Sequence, residues 1–303
     1  MIKMSLLDVG LRKDLNSPAT ILQEVIKYAV EADKLGFSRM WYTEHHNLSP
    51  AWNTPEMLLP IIAGVTANVK IGIAGILLSM NSPYRVALNF KLLNTLFPDR
   101  IDLGLANSQT HHDIARLSLS NDHLEESYTG KFYDKLRLLV TFLQGDPASI
   151  SEHISITPIK SAAPEIWCLG SSSNSFPYVT DLNINFSLSV FHKNKPLLEY
   201  RDELKQFREA YYRKNNRLPE INVAFTGICD TSKAKAIKKY ESLGFKEDTY
   251  PFNCLLGTPS LFFDTLNKYH EELGINEFVF NDLTHDQKHR LDTLGFLHTQ
   301  FSL

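Results

Sequence analysis

Cysteine is scarce in this chain, three in 303 residues, and Cys168, Cys229 and Cys254 stand far apart. An odd, scattered set makes neither a disulfide framework nor a zinc pair, which fits a reducing compartment. Blocks of lysine and arginine are missing beyond the mixed face around Lys233 to Lys239, and the net charge is −3. No nucleic-acid partner is expected. The longest apolar stretch, Met57 to Val69, is broken by Pro60 and Gly64, short of the ~20 apolar residues a helix needs to span a bilayer. No membrane partner is expected either. Met1 to Gly10 is a short apolar run containing Asp8, which makes a poor signal peptide. The expectation is a cytoplasmic protein. At 43% hydrophobic and 21% charged residues, the chain can bury a large core, as one barrel or as two smaller domains.

What the sequence has is regular punctuation. Ser17-Pro18, Thr54-Pro55 and Ser82-Pro83 each open a helical pattern. A hydroxyl at the N-cap accepts from an orphan amide, and proline at the first helical position lacks the amide that would go unpaired. Strands fall between these helices, and eight candidates begin at Met4, Arg39, Lys70, Arg100, Glu165, Asn185, Ile221 and Glu277. Alternating strands and helices predict a parallel sheet, and the near-continuous apolar run Ile71 to Leu78 predicts strands buried on both faces. A single TIM-type (β/α)8 barrel over 1–303 is the expected fold, with a doubly wound open sheet as the alternative. Polar Asn107 to Asn121 reads as an insertion after strand 4. The stretch Gly145 to Pro164 is irregular, with Ile150, Ile154, Ile156 and Ile159 hinting at small strands before strand 5.

Two stretches carry chemistry. Met40-Trp41-Tyr42 is a short apolar strand that ends in Thr43-Glu44-His45-His46, at the end of a parallel strand where α/β folds place their ligands. Histidine suits proton transfer near neutral pH, an adjacent glutamate can fix its tautomer, and alternation along extended backbone lets only one of the two histidines face a pocket. Further on, Trp167-Cys168-Leu169 runs into Gly170-Ser171-Ser172-Ser173-Asn174-Ser175, a turn whose amides and hydroxyls suit a phosphate, helped by the helix that follows. A different reading gathers Glu44, His45, His46, His111, His112 and Asp113 into a metal site of a hydrolase. No metal-ligand spacing is matched, so no metal is expected.

Taken in order, these pieces give a family likeness over nearly the whole chain. Trp41-Tyr42-Thr43-Glu44-His45-His46-Asn47, Ile71 to Leu78, Asn81-Ser82-Pro83, Pro98-Asp99-Arg100-Ile101-Asp102-Leu103-Gly104-Leu105, the serine turn and Leu256-Gly257-Thr258-Pro259 resemble the bacterial luciferase-like flavin oxidoreductases. The resemblance implies a barrel that holds FMN, or less often the deazaflavin F420, at the C-terminal ends of its strands. It also implies His45 as the proton-transfer residue with Glu44 next to it, and a cis peptide bond at Ala74-Gly75. The cofactor residues it implies are Ala74, Gly75, Ala106, Asn107, Gly170, Ser171, Ser172 and Ser175. One position departs: relatives commonly place an arginine where this chain has Asn107, replacing a charge-assisted phosphate contact by a neutral one. A nearby cation such as Arg116 or Lys131 is then the expected substitute, or FMN is held weakly.

The function implied is a two-component monooxygenase that uses O2 and reduced FMN from a separate flavin reductase on a small organic or secondary-metabolite substrate. The alternative is a reductase passing hydride from reduced flavin or F420 to an activated C=C, for example in a peptide; a flavin-binding protein without activity is the third reading. Helices Pro55 to Ala67 and Pro83 to Phe97 carry apolar residues on more than one face, among them Leu58, Ile61, Leu88 and Leu92. Such surplus predicts a homodimer.

Overall fold

The structure, a computed structural model, describes residues 2–11, 17–46, 51–108, 128–145, 155–193, 195–245 and 253–303. Its strands are β1 (Lys3–Asp8), β2 (Arg39–Tyr42), β3 (Lys70–Leu77), β4 (Ile101–Ala106), β5 (Glu165–Gly170), β6 (Asn185–Ser189), β7 (Ile221–Cys229), β8 (Cys254–Gly257) and β9 (Glu277–Asp282). All pair in parallel, in the order β6-β5-β4-β3-β2-β1-β9-β7-β8, and an additional β6–β7 pairing closes the eight strands β1 to β7 and β9 into a barrel. These are the eight strands expected from the sequence, so the fold is a TIM-type barrel rather than an open sheet. The ninth, β8, is a correction: sequence reading passed over Cys254–Gly257 as the lead-in to a helix. It lies along Thr226–Cys229 of β7, while β6 pairs with Ile221–Ala224 of the same strand.

Around the barrel run α1 (Pro18–Lys34), α2 (Leu59–Val65), α3 (Pro83–Leu96), α4 (Tyr128–Gln144), α5 (Phe176–Leu182), α6 (Arg201–Asn215), α7 (Lys233–Ser242), α8 (Pro259–Leu273) and α9 (Gln287–Phe301). The hydroxyls of Ser17, Ser82 and Thr258 accept from the amides of Thr20, Arg85 and Leu261, as their spacing predicts. Thr54-Pro55 behaves differently: it opens only a 3-10 turn, Pro55–Met57, and the α-helix begins afresh at Leu59. Pro60 cannot donate and its ring would meet the carbonyl four residues back, so one helix cannot run from Glu56 through it. Before β5, Ile156 lies in irregular backbone and Ile159 in a turn, neither in a strand, on either side of Pro158, which also lacks a donor. Ile150, Ile154 and the insertion after β4 at 109–127 lie outside the described residues.

Alternation along the strands separates two cores. Leu6, Met40, Tyr42, Ile73, Ile166, Cys168, Val223, Phe225, Phe278 and Phe280 belong to the large cluster between barrel and helices. Their neighbours Leu7, Trp41, Ala74, Trp167, Ala224 and Val279 form a second cluster in the lumen. Below it the lumen is floored by charge. Arg39 Nη1 donates to both oxygens of Asp102 at 2.8 and 2.9 Å and Nε donates to Glu277 Oε1 at 2.8 Å, while Glu165 and Glu220 complete the set. The guanidinium also sits 4.7 Å from the Trp167 ring centroid. Burial pushes the Asp102 carboxyl up to about 6, against the pull of Arg39. With one end of the lumen closed in this way, any ligand space lies at the other end, where the strands finish.

Candidate functional site

β2 finishes at Tyr42, and the next four residues leave the barrel at its C-terminal mouth. Trp52 Nε1 donates to Thr43 O at 3.1 Å and Asn53 Nδ2 donates to His45 O at 2.5 Å, fixing the backbone of this exit. The two histidines take different partners, as alternation predicts. His45 Nδ1 lies 2.8 Å from Thr43 Oγ1, and its Nε2 has no partner among the described residues. His46 Nε2 donates to Glu44 Oε1 at 2.9 Å. Glu44 Oε2 accepts from the Leu77 amide at 2.9 Å, and the Asn81 side-chain amide stands 3.4 Å from both carboxylate oxygens.

This corrects the expected role of Glu44. Its carboxylate does not touch His45. It holds His46 and ties the exit of β2 to the end of β3. The residue that constrains the His45 ring is Thr43, and the tautomer follows from the direction of that hydrogen bond. Burial holds the His45 imidazole below the usual histidine range, reinforced by repulsion from His192 and His46 and opposed by Glu44. Near neutral pH His45 is therefore an uncharged ring with Nε2 available to give or take a proton.

The next three strands form the wall beside it. The Ala74–Gly75 bond is cis, as the resemblance implies. A side chain at Gly104 would come 2.1 Å from Ile73 O, and one at Gly75 would come 3.0 Å from the Ala106 amide, so the β3 and β4 backbones approach as only glycine permits. Register places Ala106 beside Leu77 on one side and Leu169 on the other, with Gly170 next along β5. Ala74, Gly75 and Ala106 thus lie together on two adjacent strands at the mouth, whereas Gly170 turns its bare face outward, where a side chain would come 3.2 Å from the Phe186 ring. Across the lumen, Ser189 Oγ and Asn281 Oδ1 are buried without a partner among the described residues. Small-residue walls facing orphaned polar atoms suit a flat ring system that carries its own hydrogen-bonding edge.

The serine turn divides. Ser171 and Ser172 are half-buried at the rim, whereas Ser175 is only 8% exposed and its Oγ lies 3.2 Å from Tyr133 Oη. Ser175 is therefore a prop beneath the turn, a second correction. Tyr133 in turn stacks on Tyr178 at 3.5 Å between centroids. The helix after the turn, α5, has seven residues and is entered through the 3-10 turn Ser173–Ser175, a shorter dipole than the sequence implies. Asn107 is exposed where β4 ends. Arg116, the side chain of Lys131, and His111, His112 and Asp113 lie outside the described residues.

Sequence reading missed several residues around the mouth. Lys135 of α4 donates to Ser79 O at 2.7 Å and Asn81 O at 3.3 Å, bracing the loop after β3. Asn253 donates to Val190 O and Lys195 O and accepts from the Leu197 amide, clipping the loop after β6. Asn81 sits inside one of the likeness motifs, Asn81-Ser82-Pro83, which is the signal that marks it in the sequence. Lys135 and Asn253 carry no motif, because their partners are tens of residues distant in the chain.

A closed parallel barrel with a plugged floor and a histidine at its open end defines a TIM-barrel enzyme with its chemistry at the C-terminal mouth. The chain belongs to the luciferase-like monooxygenase family, which it matches over residues 5–278, and is accordingly an oxidoreductase. It is 30% identical over 254 residues to the uncharacterized protein YceB of Bacillus subtilis, covering 82% of this chain and 74% of that one. It is 31% identical over 217 residues to the N-acetyl-S-alkylcysteine monooxygenase of the same organism, covering 70% of this chain and 62% of that one. The crystal structure of apo-MsnO8 superposes with a TM-score of 0.86 at 26% identity, over 100% of this chain and 99% of that one. The oxygenating constituent of the 3,6-diketocamphane monooxygenase of Pseudomonas putida, solved in complex with FMN, shares the fold with a TM-score of 0.76 at 16% identity, over 98% and 96% of the two chains.

Proposed function

We propose that this chain is the oxygenating component of a two-component flavin-dependent monooxygenase, acting with O2 and reduced FMN delivered by a separate reductase on a small organic substrate. The observation that carries this reading is His45, an uncharged imidazole with Nε2 unengaged at the rim of a narrow lumen that is closed below. Reduced flavin, when bound, supplies the electrons that activate oxygen. The protein's own residues do the rest. His45 holds or moves one proton at Nε2, and Thr43 orients its ring. Glu44, through Leu77 and Asn81, keeps the mouth between β2 and β3 in register. Trp41 and Trp167, with centroids 5.4 Å apart, fill the lumen beneath and keep water from entering below. Ala74, Gly75 and Ala106 leave room for the ring, and Ser171 and Ser172 stand where its phosphate tail would end.

The alternative, hydride transfer to an activated C=C from reduced FMN or F420, uses the same residues without oxygen. An F420-dependent secondary alcohol dehydrogenase shares this fold, with a TM-score of 0.74 at 12% identity. One experiment separates them. Photoreduced FMN is mixed with the protein and then with oxygenated buffer, and flavin reoxidation is followed by absorbance. The expected outcome is reoxidation at a rate different from that of free reduced FMN. An unchanged rate would sink the monooxygenase reading, and anaerobic reoxidation by an enone would support the reductase.

The working unit we propose is a homodimer. Met57, Ile61, Val65, Leu92 and Leu96 are all at least half exposed on the α2 and α3 side of the barrel, and a second copy is the partner able to cover an identical apolar stripe.

A further inference from the structure

We propose that Lys195 supplies the positive charge for the phosphate of the bound flavin, in place of the arginine this chain lacks at position 107. The inference rests on the flavin reading above and adds to it the group that holds the cofactor's tail.

The ammonium reaches the serine turn from two sides. Tyr200 donates its hydroxyl to Ser171 O at 3.0 Å, and Lys195 Nζ lies 3.9 Å from the centroid of the Tyr200 ring. Lys195 Nζ also donates to Glu203 Oε1 at 2.6 Å, and the same carboxylate takes the Ser173 hydroxyl. Lys195, Glu203 and Ser173 thus form one chain of contacts, and Lys195, Tyr200 and Ser171 another. An anion cradled by Ser171 to Ser173 would sit between their ends.

The backbone of Lys195 is held for this task. Asn253, only 4% exposed, donates to Lys195 O at 2.9 Å and Val190 O at 3.1 Å and accepts from the Leu197 amide at 3.0 Å. The side chains are free enough to exchange partners, since those of Lys195 and Glu203 are 31% and 35% exposed. A phosphate dianion offers more charge and more acceptor oxygens than one carboxylate, so the ammonium turns to it and Glu203 swings to water. Among the described residues, the other candidates serve the position less well. Lys135 is directed at backbone carbonyls on the β3 side, and Asn107 is neutral. A lysine meets phosphate as a point charge without the planar fork of an arginine, which suits a position reached from the side.

The test compares FMN with riboflavin, which lacks the phosphate, by quenching of flavin fluorescence. In the unaltered protein FMN binds more tightly than riboflavin, and its affinity alone falls with added salt. Lys195→Met weakens FMN by about ten- to a hundredfold, to near the riboflavin value, and leaves riboflavin unchanged. Adding Asn107→Arg to Lys195→Met restores FMN affinity, and Glu203→Gln, which frees the ammonium, tightens FMN several-fold. An unchanged FMN-to-riboflavin ratio in Lys195→Met, with an unshifted melting temperature, would overturn the inference. Equal binding of the two flavins by the unaltered protein, or FMN binding insensitive to salt, would overturn it without any variant and leave the flavin reading standing. Binding of neither flavin, oxidised or photoreduced, would remove both.

Discussion

A histidine that works by proton transfer must be uncharged when it accepts, and at His45 burial and two neighbouring histidines secure that state. The sign of the pH dependence follows. With its pKa held below the usual 6.5, His45 needs a lower pH than an ordinary histidine before it takes up its second proton. The acid limb of kcat/KM is expected to fall below the ordinary histidine midpoint, and an acid limb centred at or above it would contradict the assignment. His45→Ala is expected to lower turnover by about two to four orders of magnitude while circular dichroism and melting stay as in the parent. Activity within a few-fold of the parent would remove His45 from the chemistry. At this scale the sequence showed which residues to watch, since His45 and Glu44 both stand at the mouth. It misassigned their partners: two neighbours along an extended chain point to opposite sides, so the carboxylate next to His45 in sequence meets His46 and the amide of Leu77, 33 residues away.

Among the elements, the loop after β6 depends most on a single distant side chain. Three hydrogen bonds join the Asn253 amide to backbone groups of the loop at 190–197. Asn253→Ala would leave those buried groups without their partner, at a cost of about 2–3 kcal/mol measured by urea denaturation. Because Lys195 lies in that loop, the same change is expected to weaken FMN more than riboflavin. A stability change under about 0.5 kcal/mol would show that water replaces the amide. Asn253 stands one residue before β8, the strand that sequence reading passed over. Four residues ending in glycine before Thr258-Pro259 resemble a helix lead-in, and only the exposed edge of the long strand β7 makes a strand of them.

For the molecule as a whole, the floor of the barrel is the most demanding arrangement. Arg39 is buried among carboxylates drawn from β4, β5 and β9, so it joins strands far apart in the chain. Arg39→Met is expected to destabilise the protein by about 3–5 kcal/mol, because it strands buried carboxylates without a counter-charge. Burial already raises the Asp102 pKa to about 6. A group whose folded pKa is raised binds its proton more readily in the folded state, so the deficit of the variant should shrink as the pH is lowered towards about 5. A deficit independent of pH would assign the loss to packing instead. The proposed dimer is tested at the same scale. Sedimentation at micromolar concentration should give twice the 34.5 kDa chain mass, and Leu92→Glu with Ile61→Lys should return it to 34.5 kDa. A parent protein sedimenting as a single chain would contradict the dimer.

The period-two and helical patterns, with hydroxyl-proline helix openings, determined the eight barrel strands and most of the helices, because those features depend on residues within a few positions of one another. They also placed His45 at a strand end, since a parallel strand has only one end that opens to ligand. Only the tertiary structure decided that Glu44 serves His46, that Ser175 lies beneath its turn, that a four-residue ninth strand joins β7 and that Arg39 closes the floor. The last three depend on contacts between residues tens to hundreds of positions apart, and Glu44 is turned to His46 by its hydrogen bond from the Leu77 amide, 33 residues on. All of them are contacts that chain closure brings together and no local pattern records.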